Sequence, residues 1–233
     1  MNDYGFLFIH GAGLGGWIWK DTAGQLSEPS VCADFPARTG SLEERKKLTL
    51  DDYVASVLEQ ANNIKVDKII VVAHSIGGVV ALRVAEQLGD RLAGFVAVGA
   101  AIPTPEGSFL SALPFPKSII MNLIMRLAGT QPPASAIASG LCNDLSPEQT
   151  QKVIDSFAAE SVELYKTPTG VVLPAVPKLY VVLTNDKEFG VSLQKSMAQR
   201  LGGATENIGS GHLPMLSRPH ELAVILQAFA TSI

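Results

Sequence analysis

The sequence predicts an α/β protein: a three-layer sandwich with a mostly parallel sheet of about six strands and helices on both faces. Short apolar runs alternate with helical patterns along the 233 residues. The runs are apolar at consecutive positions, which indicates strands that are buried on both faces. With 47% hydrophobic and 17% charged residues, the chain can form one large core and is not typical of disordered proteins.

Six runs have the composition of buried strands, and the segments between them show helical spacing. The predicted strands are residues 6–9, 31–33, 68–72, 92–98, 178–183 and 205–208. The predicted helices are residues 17–26, 50–63, 77–88, 191–201 and 219–229. In the predicted helix 50–63, apolar residues recur on one side, and Thr49 or Asp51 can cap its start.

Residues 103–170 interrupt this alternation, so we expect a single domain over residues 1–233 with an inserted lid at 103–170. The segment begins rich in proline and contains two helical patterns, at 117–128 and 147–160. A segment of this length without structure of its own is uncommon. Because it follows strand 92–98, we expect a helical lid above the carboxyl edge of the sheet.

An apolar stripe at helical spacing marks the first of these two helices. Its members are Ile119, Ile120, Leu123, Ile124 and Leu127. We expect most of the stripe to pack the lid onto the body of the protein. We also expect Ile120, Leu123 and Ile124 to line a substrate pocket.

The sequence Ala-His-Ser-Ile-Gly at residues 73–77 lies between a predicted strand and a predicted helix. A strand, a sharp turn and a helix form the nucleophile elbow, which holds a serine at the carboxyl edge of the sheet. The small residues Ala73 and Gly77 permit such a turn around Ser75. The Ile76 N–H would lie at the helix start, where it can stabilise negative charge. Short strings of this kind also occur by chance, so the prediction of an elbow depends on the strand before it and the helix after it.

A glycine-rich loop follows the first predicted strand, with the sequence His10-Gly11-Ala12-Gly13. Glycine permits the backbone to approach a ligand closely. The Ala12 N–H is therefore a candidate for the second donor of an oxyanion hole. A plain glycine turn without function is the alternative.

Four histidines are present, and His212 is the candidate base. It alone lies on a glycine-flanked loop at the carboxyl end of a predicted strand. His10 and His74 belong to motifs in which histidine usually has a structural role. His220 lies in the polar start of the last helix.

The candidate acid is Asp186, which follows strand 178–183 closely enough to be held rigidly. A carboxylate at this place can accept a hydrogen bond from the histidine and stabilise the imidazolium. Glu188 is the nearby alternative, and Asp144 and Asp155 in the insertion are more remote ones.

Five strings covering nearly the whole chain resemble the α/β-hydrolase superfamily: HGAGLGGW, ADFPARTG, AHSIGG, TNDKEF and SGHLPMLSRPHEL. The first and last are similar to the methylesterase and hydroxynitrile-lyase branch. The resemblance implies the triad Ser75, Asp186 and His212. Two departures are Ala73, which replaces the first glycine of the elbow, and Ala37-Arg38-Thr39, which replaces the usual Gly-x-Gly after the second strand.

The function that we expect is hydrolysis of a carboxylic ester of a small to medium apolar molecule through an acyl-enzyme intermediate. We place Gly11, His74 and Leu213 beside the triad in the substrate pocket. The alternatives are a carbon–carbon lyase of the hydroxynitrile type and a non-catalytic ligand receptor. The lyases of the branch carry Lys after the catalytic His and Thr beside the first His, where this chain has Leu213 and Gly11.

Bulk properties argue against other classes of function. A net charge of -4 and a pI near 5.6 give no basic footprint for nucleic acid. No apolar run has the length of a membrane span, and the N-terminus has no features of a secretory leader, so we expect a cytoplasmic protein. Cys32 and Cys142 match no metal or redox spacing. We expect a small-molecule substrate and no metal, cofactor, nucleic-acid partner or membrane; the oligomeric state stays open.

Overall fold

The computed structural model describes residues 4–233 and has one sheet of six strands, all paired in parallel. The strand order is β2-β1-β3-β4-β5-β6. The strands are β1 (Tyr4–Ile9), β2 (Ser30–Ala33), β3 (Lys68–His74), β4 (Leu92–Val98), β5 (Lys178–Leu183) and β6 (Ala204–Ile208). The prediction that the N-terminus has no features of a secretory leader includes residues 1–3, which lie outside the described residues.

The longer helices alternate with these strands. They are α1 (Leu50–Ala61), α2 (Gly77–Leu88), α3 (Lys117–Ala128), α4 (Pro147–Ser156), α5 (Val191–Leu201) and α6 (Pro219–Thr231). Shorter helical segments are Gly16–Trp19, Lys20–Ala23, Leu42–Arg45, Gly89–Arg91, Phe109–Ala112, Ala134–Ala136, Ile137–Leu141, Glu163–Lys166 and Pro214–Ser217.

Two apolar layers lie on opposite faces of the sheet, as expected for strands with no polar face. On one face, Leu7 and Val71 of the sheet belong to the same cluster as Tyr53 of α1. On the other face, Phe8 packs against Trp19, with ring centroids 5.0 Å apart, and Leu222 of α6 joins that cluster. The predicted α/β fold with helices on both faces is confirmed.

Two predicted helices differ from the structure by more than two residues at one end. The predicted helix 17–26 is a 3-10 turn at Gly16–Trp19 followed by one α-turn at Lys20–Ala23, and Gly24 follows its end. The predicted helix 147–160 stops at Ser156, because Phe157 adopts an extended backbone. The residues after Ser156 contact the glycine-rich loop after β1.

The insertion between β4 and β5 is mostly helical, but the apolar stripe of α3 is not buried. Its five members, residues 119, 120, 123, 124 and 127, are each 53–80% exposed. The expectation that most of the stripe packs onto the body is therefore wrong. Met125, which lies outside that stripe, is the buried residue of α3. The function of residues 103–170 as a lid stays a prediction.

Close packing at the carboxyl edge of the sheet brings the candidate residues together. A Cβ atom at Gly77 would collide with the His10 carbonyl oxygen, so α2 can start directly against the end of β1 only with glycine there. The ends of β1, β3, β5 and β6 then meet at one edge. Among residues 4–233, no helix has the length and apolarity that a bilayer crossing requires.

Candidate active site

Ser75 occupies the sharp turn between β3 and α2. Its φ of 54° lies in the left-handed region, which residues other than glycine rarely adopt. Its carbonyl oxygen accepts hydrogen bonds from the backbone N–H groups of Gly78 and Ala101, at 3.1 and 2.9 Å. These bonds hold the strained turn, so Ser75 is presented at the edge of the sheet as the elbow motif predicts.

His212 and Asp186 form a buried pair at the same edge. The His212 Nδ1 atom lies 2.8 Å from Asp186 Oδ2, and both side chains are at most 2% exposed. Burial alone would lower the pKa of His212, but the Asp186 carboxylate more than offsets this and raises the pKa above 6.5. A histidine held in this way is prepared to accept a proton at its other nitrogen.

Three groups besides His212 hold the Asp186 carboxylate. Its Oδ1 atom accepts hydrogen bonds from the backbone N–H groups of Glu188 and Phe189, at 2.7 and 3.1 Å. The Gln194 amide of α5 reaches Oδ2 at 3.4 Å. Burial alone would raise the pKa of Asp186, but the His212 charge and these hydrogen bonds keep the pKa below its ordinary value.

The three alternative carboxylates have other surroundings. Glu188 lines the cavity described below, and its backbone N–H rather than its carboxylate is bound to Asp186. Asp144 Oδ2 accepts the Gly211 N–H at 2.6 Å, one residue before the histidine. Asp155 accepts a hydrogen bond from Gln151 on the exposed side of α4.

His74 supports the histidine loop from behind. Its Nε2 atom lies 2.8 Å from the His212 carbonyl oxygen, and the two rings are 4.6 Å apart. Burial is the main reason that the pKa of His74 lies well below 6.5, so the ring is neutral and its Nε2–H donates to that carbonyl. His74 therefore fixes the backbone of His212.

Two backbone N–H groups next to Ser75 and Gly11 are the predicted donors of an oxyanion hole. Ala12 follows Gly11 in the loop after β1, and Ile76 follows Ser75 at the start of α2. Within the described residues, neither N–H donates a hydrogen bond in the loops and turns. Their sequence positions match the two donors of this architecture.

A cavity of about 620 Å³ opens above these groups. This volume lies within the range of small-molecule sites. Ser75, His212, Gly11, Ala12 and His74 line its floor, and Ile120 and Ile124 of α3 line its opposite side. Apart from Glu188 and Lys117, most of the surrounding side chains are apolar.

Two residues predicted to line the pocket do not line this cavity. Leu213 is fully buried and packs in the apolar layer with α6, because the chain turns inward directly after His212. Leu123 is 56% exposed and lies on another side of α3 than the residues that line the cavity. Its neighbours Ile120 and Ile124, at helical spacing, reach the cavity instead.

Two polar residues that support the site were not predicted from the sequence. Gln194 is fully buried and binds Leu183, Asp186 and Phe189. A lone amide at a core position of a helix was the available signal. Glu160 is only 2% exposed and binds the glycine-rich loop. Its signal was weaker, because a glutamate after a predicted helix is usually solvated.

No group of three or more His, Cys, Asp or Glu side chains within residues 4–233 is arranged to hold a metal ion. The two cysteines are free. Burial raises the pKa of both thiols to about 11, so neither is a thiolate at neutral pH.

A family model described as the alpha/beta hydrolase family matches residues 6–225. The chain belongs to that family. The resemblance found in the five sequence strings is thereby confirmed over almost the whole length of the protein.

Relatives and solved structures agree with this placement. Methylesterase 7 of Arabidopsis thaliana is 27% identical over 257 residues, which cover 98% of this chain and 97% of the relative. The carbendazim hydrolyzing esterase of Nocardioides sp. (strain SG-4G) is 30% identical over 113 residues, covering 47% of each chain. A polyneuridine aldehyde esterase structure superimposes with a TM-score of 0.77 at 22% identity, covering 97% of this chain and 98% of that one. The protein is thus classed with the ester-acting hydrolases.

Proposed function

We propose that the protein hydrolyses a carboxylic ester of a small to medium apolar molecule, with Ser75 as nucleophile, His212 as base and Asp186 as the residue that orients it. The observation that carries the proposal is the buried pair of His212 and Asp186 beside the strained Ser75 turn. The mainly apolar walls of the cavity favour an apolar substrate.

In the proposed reaction, the Ser75 oxygen attacks the ester carbonyl carbon while His212 accepts the serine proton. The Ala12 and Ile76 N–H groups stabilise the oxyanion, and each such donor is worth about 10²–10³ in kcat. His212 then donates its proton to the departing alcohol. Water, activated by His212, releases the acid and restores Ser75.

Within the described part of the chain, Ser75 and His212 form no direct hydrogen bond with each other. Such bonds commonly tighten only in the substrate complex. The mechanism therefore requires a small adjustment at this contact when the ester binds.

The space around Gly11 supports hydrolysis over cleavage of a cyanohydrin. A Cβ atom at Gly11 would lie 2.9 Å from both His74 Nδ1 and Ser75 Cβ. A threonine at this place, as in the lyases of the branch, would be crowded here. Leu213 is uncharged and buried, so the position directly after His212 offers no cation to a departing cyanide ion.

A fluorophosphonate probe tests the nucleophile. We expect covalent labelling that maps to Ser75 by mass spectrometry, and we expect Ser75→Ala to abolish it. Ser111→Ala, which changes a serine of a short helix away from the elbow, is the matched control and should label normally. A label on another serine, or none on folded protein, would overturn the assignment of Ser75 as the nucleophile of a hydrolase.

A direct comparison of substrates tests the reaction. Purified protein is assayed with mandelonitrile and with short-chain aryl and methyl esters under the same conditions. We expect ester turnover that Ser75→Ala removes. Efficient cyanide release with negligible ester turnover would establish the lyase alternative.

Residues 103–170 act as a lid on a single domain. The protein acts in the cytoplasm. Its partner is the small-molecule substrate, with neither nucleic acid nor a membrane involved, and its oligomeric state stays open.

A further inference from the structure

The glycine-rich loop after β1 is gripped at Gly13, one residue after the proposed oxyanion donor Ala12. The Gly13 N–H donates to Glu160 Oε1 at 3.2 Å. Its carbonyl oxygen accepts from Arg38 Nη2 at 2.9 Å and from the Ala158 N–H at 3.0 Å. Both polar groups of this one residue are therefore bound by residues distant in sequence. We call Arg38, Glu160 and the Ala158 N–H the Gly13 clamp.

Gly13 has a conformation that depends on this environment. Its φ of 73° lies in the left-handed region. A Cβ atom at this position would collide with the Phe157 ring, which fills the space beside it. Glycine is thus required here both by the backbone conformation and by the contact with the segment that follows α4.

The clamp is itself a buried charged network. Glu160 is 2% exposed, and its Oε2 atom accepts the Tyr53 hydroxyl at 3.0 Å. Arg38 Nη1 lies 3.4 Å from Glu160 Oε1, and Arg38 Nη2 also donates to the Ser156 carbonyl at 2.9 Å. A buried carboxylate is costly to the fold unless it is paired and hydrogen-bonded. Every partner named here reduces that cost, and Gly13 is one of them.

Arg38 comes from the tripeptide Ala37-Arg38-Thr39 that replaces the usual Gly-x-Gly after β2. Ala37 carries a φ of 54°, which glycine would adopt at lower cost. The turn nevertheless forms, and it aims the Arg38 guanidinium at Gly13 and at the insertion. The fork of donors on arginine suits two carbonyl acceptors at once.

We infer that Arg38 and Glu160 are positioning residues that hold the Ala12 N–H in place for the oxyanion. Through them, the position of residues 156–160 of the insertion affects how well the oxyanion is stabilised. This inference rests on the proposed function, because it concerns the oxyanion of ester hydrolysis. A donor displaced by a fraction of an ångström binds the ground-state ester nearly as well but stabilises the oxyanion less.

A matched pair of arginines separates this role from general structural support. Arg45 also joins the loop after β2 to the insertion, since its Nε donates to the Ala159 carbonyl at 2.9 Å and its Nη1 to the Gly40 carbonyl at 2.6 Å. Arg45 makes no hydrogen bond to Gly13. The variants to compare are Arg38→Met, Glu160→Gln and the control Arg45→Met.

Kinetics on one ester form the first measurement. For Arg38→Met and Glu160→Gln we expect kcat to fall about tenfold, with KM within about twofold of wild type, because only oxyanion stabilisation changes. Arg45→Met should lower the melting temperature and leave kcat unchanged. Arg38→Lys keeps one donor and should recover part of kcat.

An oxyanion mimic forms the second measurement. Ser75 adds to the carbonyl of an aryl trifluoromethyl ketone, its proton passes to His212, and the resulting hemiketal oxygen carries the negative charge. We expect the affinity for this ketone to fall with kcat in both clamp variants. The affinity for the matching methyl ketone, which forms no stable adduct, should stay constant.

Hydrogen exchange forms the third measurement, and it needs no substrate. We expect the peptide containing Ala12 and Gly13 to exchange faster in Glu160→Gln and Arg38→Met than in Arg45→Met. If Glu160→Gln does not fold, Arg38→Met alone decides. Unchanged exchange, or unchanged kcat and trifluoromethyl ketone affinity in folded clamp variants, would overturn the inference. Wild-type protein that cleaves no ester would instead overturn the proposed function. The hydrogen-exchange rates of the peptide with Ala12 and Gly13 would then decide whether the clamp holds this loop.

Discussion

The two sides of the cavity differ in how they are held. The floor, with Ser75, His212 and the glycine-rich loop, is largely buried and held by hydrogen bonds. The opposite side is α3, whose stripe of isoleucines and leucines is more than half exposed. Lys117 Nζ binds the Glu188 carbonyl at 2.6 Å and ties the start of this helix. The residues of the floor are thus held in a fixed geometry, whereas α3 offers apolar side chains for contact with a substrate.

The earlier and the later part of the insertion differ in the same way. Its earlier part contributes the exposed stripe of α3, and its later part contributes Phe157, Ala158 and Glu160 to the grip on Gly13. Packing of α3 against a substrate would depend on the substrate's own shape. Changes in the floor should therefore slow all esters alike, whereas changes in α3 should reorder them.

The largest effect is expected from Asp186→Asn, which removes the charge that orients His212. We expect kcat to fall by about three to four orders of magnitude for every ester tested, as in other triads. The matched variant Glu188→Gln should cost little, because the Glu188 carboxylate does not bind His212. Steady-state kinetics on several esters measures both. A larger loss in Glu188→Gln would reassign the acid.

The pH dependence should follow the same pair. His212 must be neutral to accept the serine proton, so kcat/KM should rise with pH through a single group whose pKa lies above 6.5. In Asp186→Asn the raising influence is lost while burial remains, so the midpoint of the residual activity should move to lower pH. Profiles of both proteins on one ester test this. A midpoint that moves to higher pH would contradict the pairing.

On the opposite side of the cavity, Ile124→Ala should reorder substrates. Shortening this residue enlarges the cavity, so preference should shift toward bulkier esters by a factor of about ten, which is the value of one or two methylene groups. The measurement is the ratio of kcat/KM for a bulky and a short ester. A uniform loss for both esters would place Ile124 with the floor and break the comparison.

The smallest effect is expected from Leu127→Ala on the same helix. Leu127 is 80% exposed and does not line the cavity. The ester ranking should stay within about twofold of wild type, as for most exposed positions. A reordering as large as that of Ile124→Ala would show that α3 moves as a whole when substrate binds.

Local patterns predicted the parts of the molecule in which neighbouring residues determine the structure. Helices α2, α3 and α5 begin and end where the apolar spacing indicated. The pairing of Asp186 with His212 followed from loops at the ends of parallel strands, which must meet at one edge. These inferences needed no knowledge of long-range packing.

The missed features depend on contacts between distant segments. The sequence around Arg38 and that around Glu160 are separated by more than a hundred residues, and only the fold brings them to Gly13. The exposure of α3 was missed for the same reason. An amphipathic pattern indicates that a helix has an apolar side, but what covers that side is a property of the tertiary structure.

The neighbouring positions of β4 and β5 have a consequence for recombination between relatives. Val98 pairs with Val181, so the insertion leaves and rejoins the sheet at adjacent strands. A cassette of another length could be exchanged there at small cost, because loop closure depends only weakly on length. A crossover before α4 would keep Glu160 with its native Arg38. A crossover after Glu160 would replace the residues of the insertion that bind Gly13 with those of the relative. Such chimaeras should fold but have a low kcat.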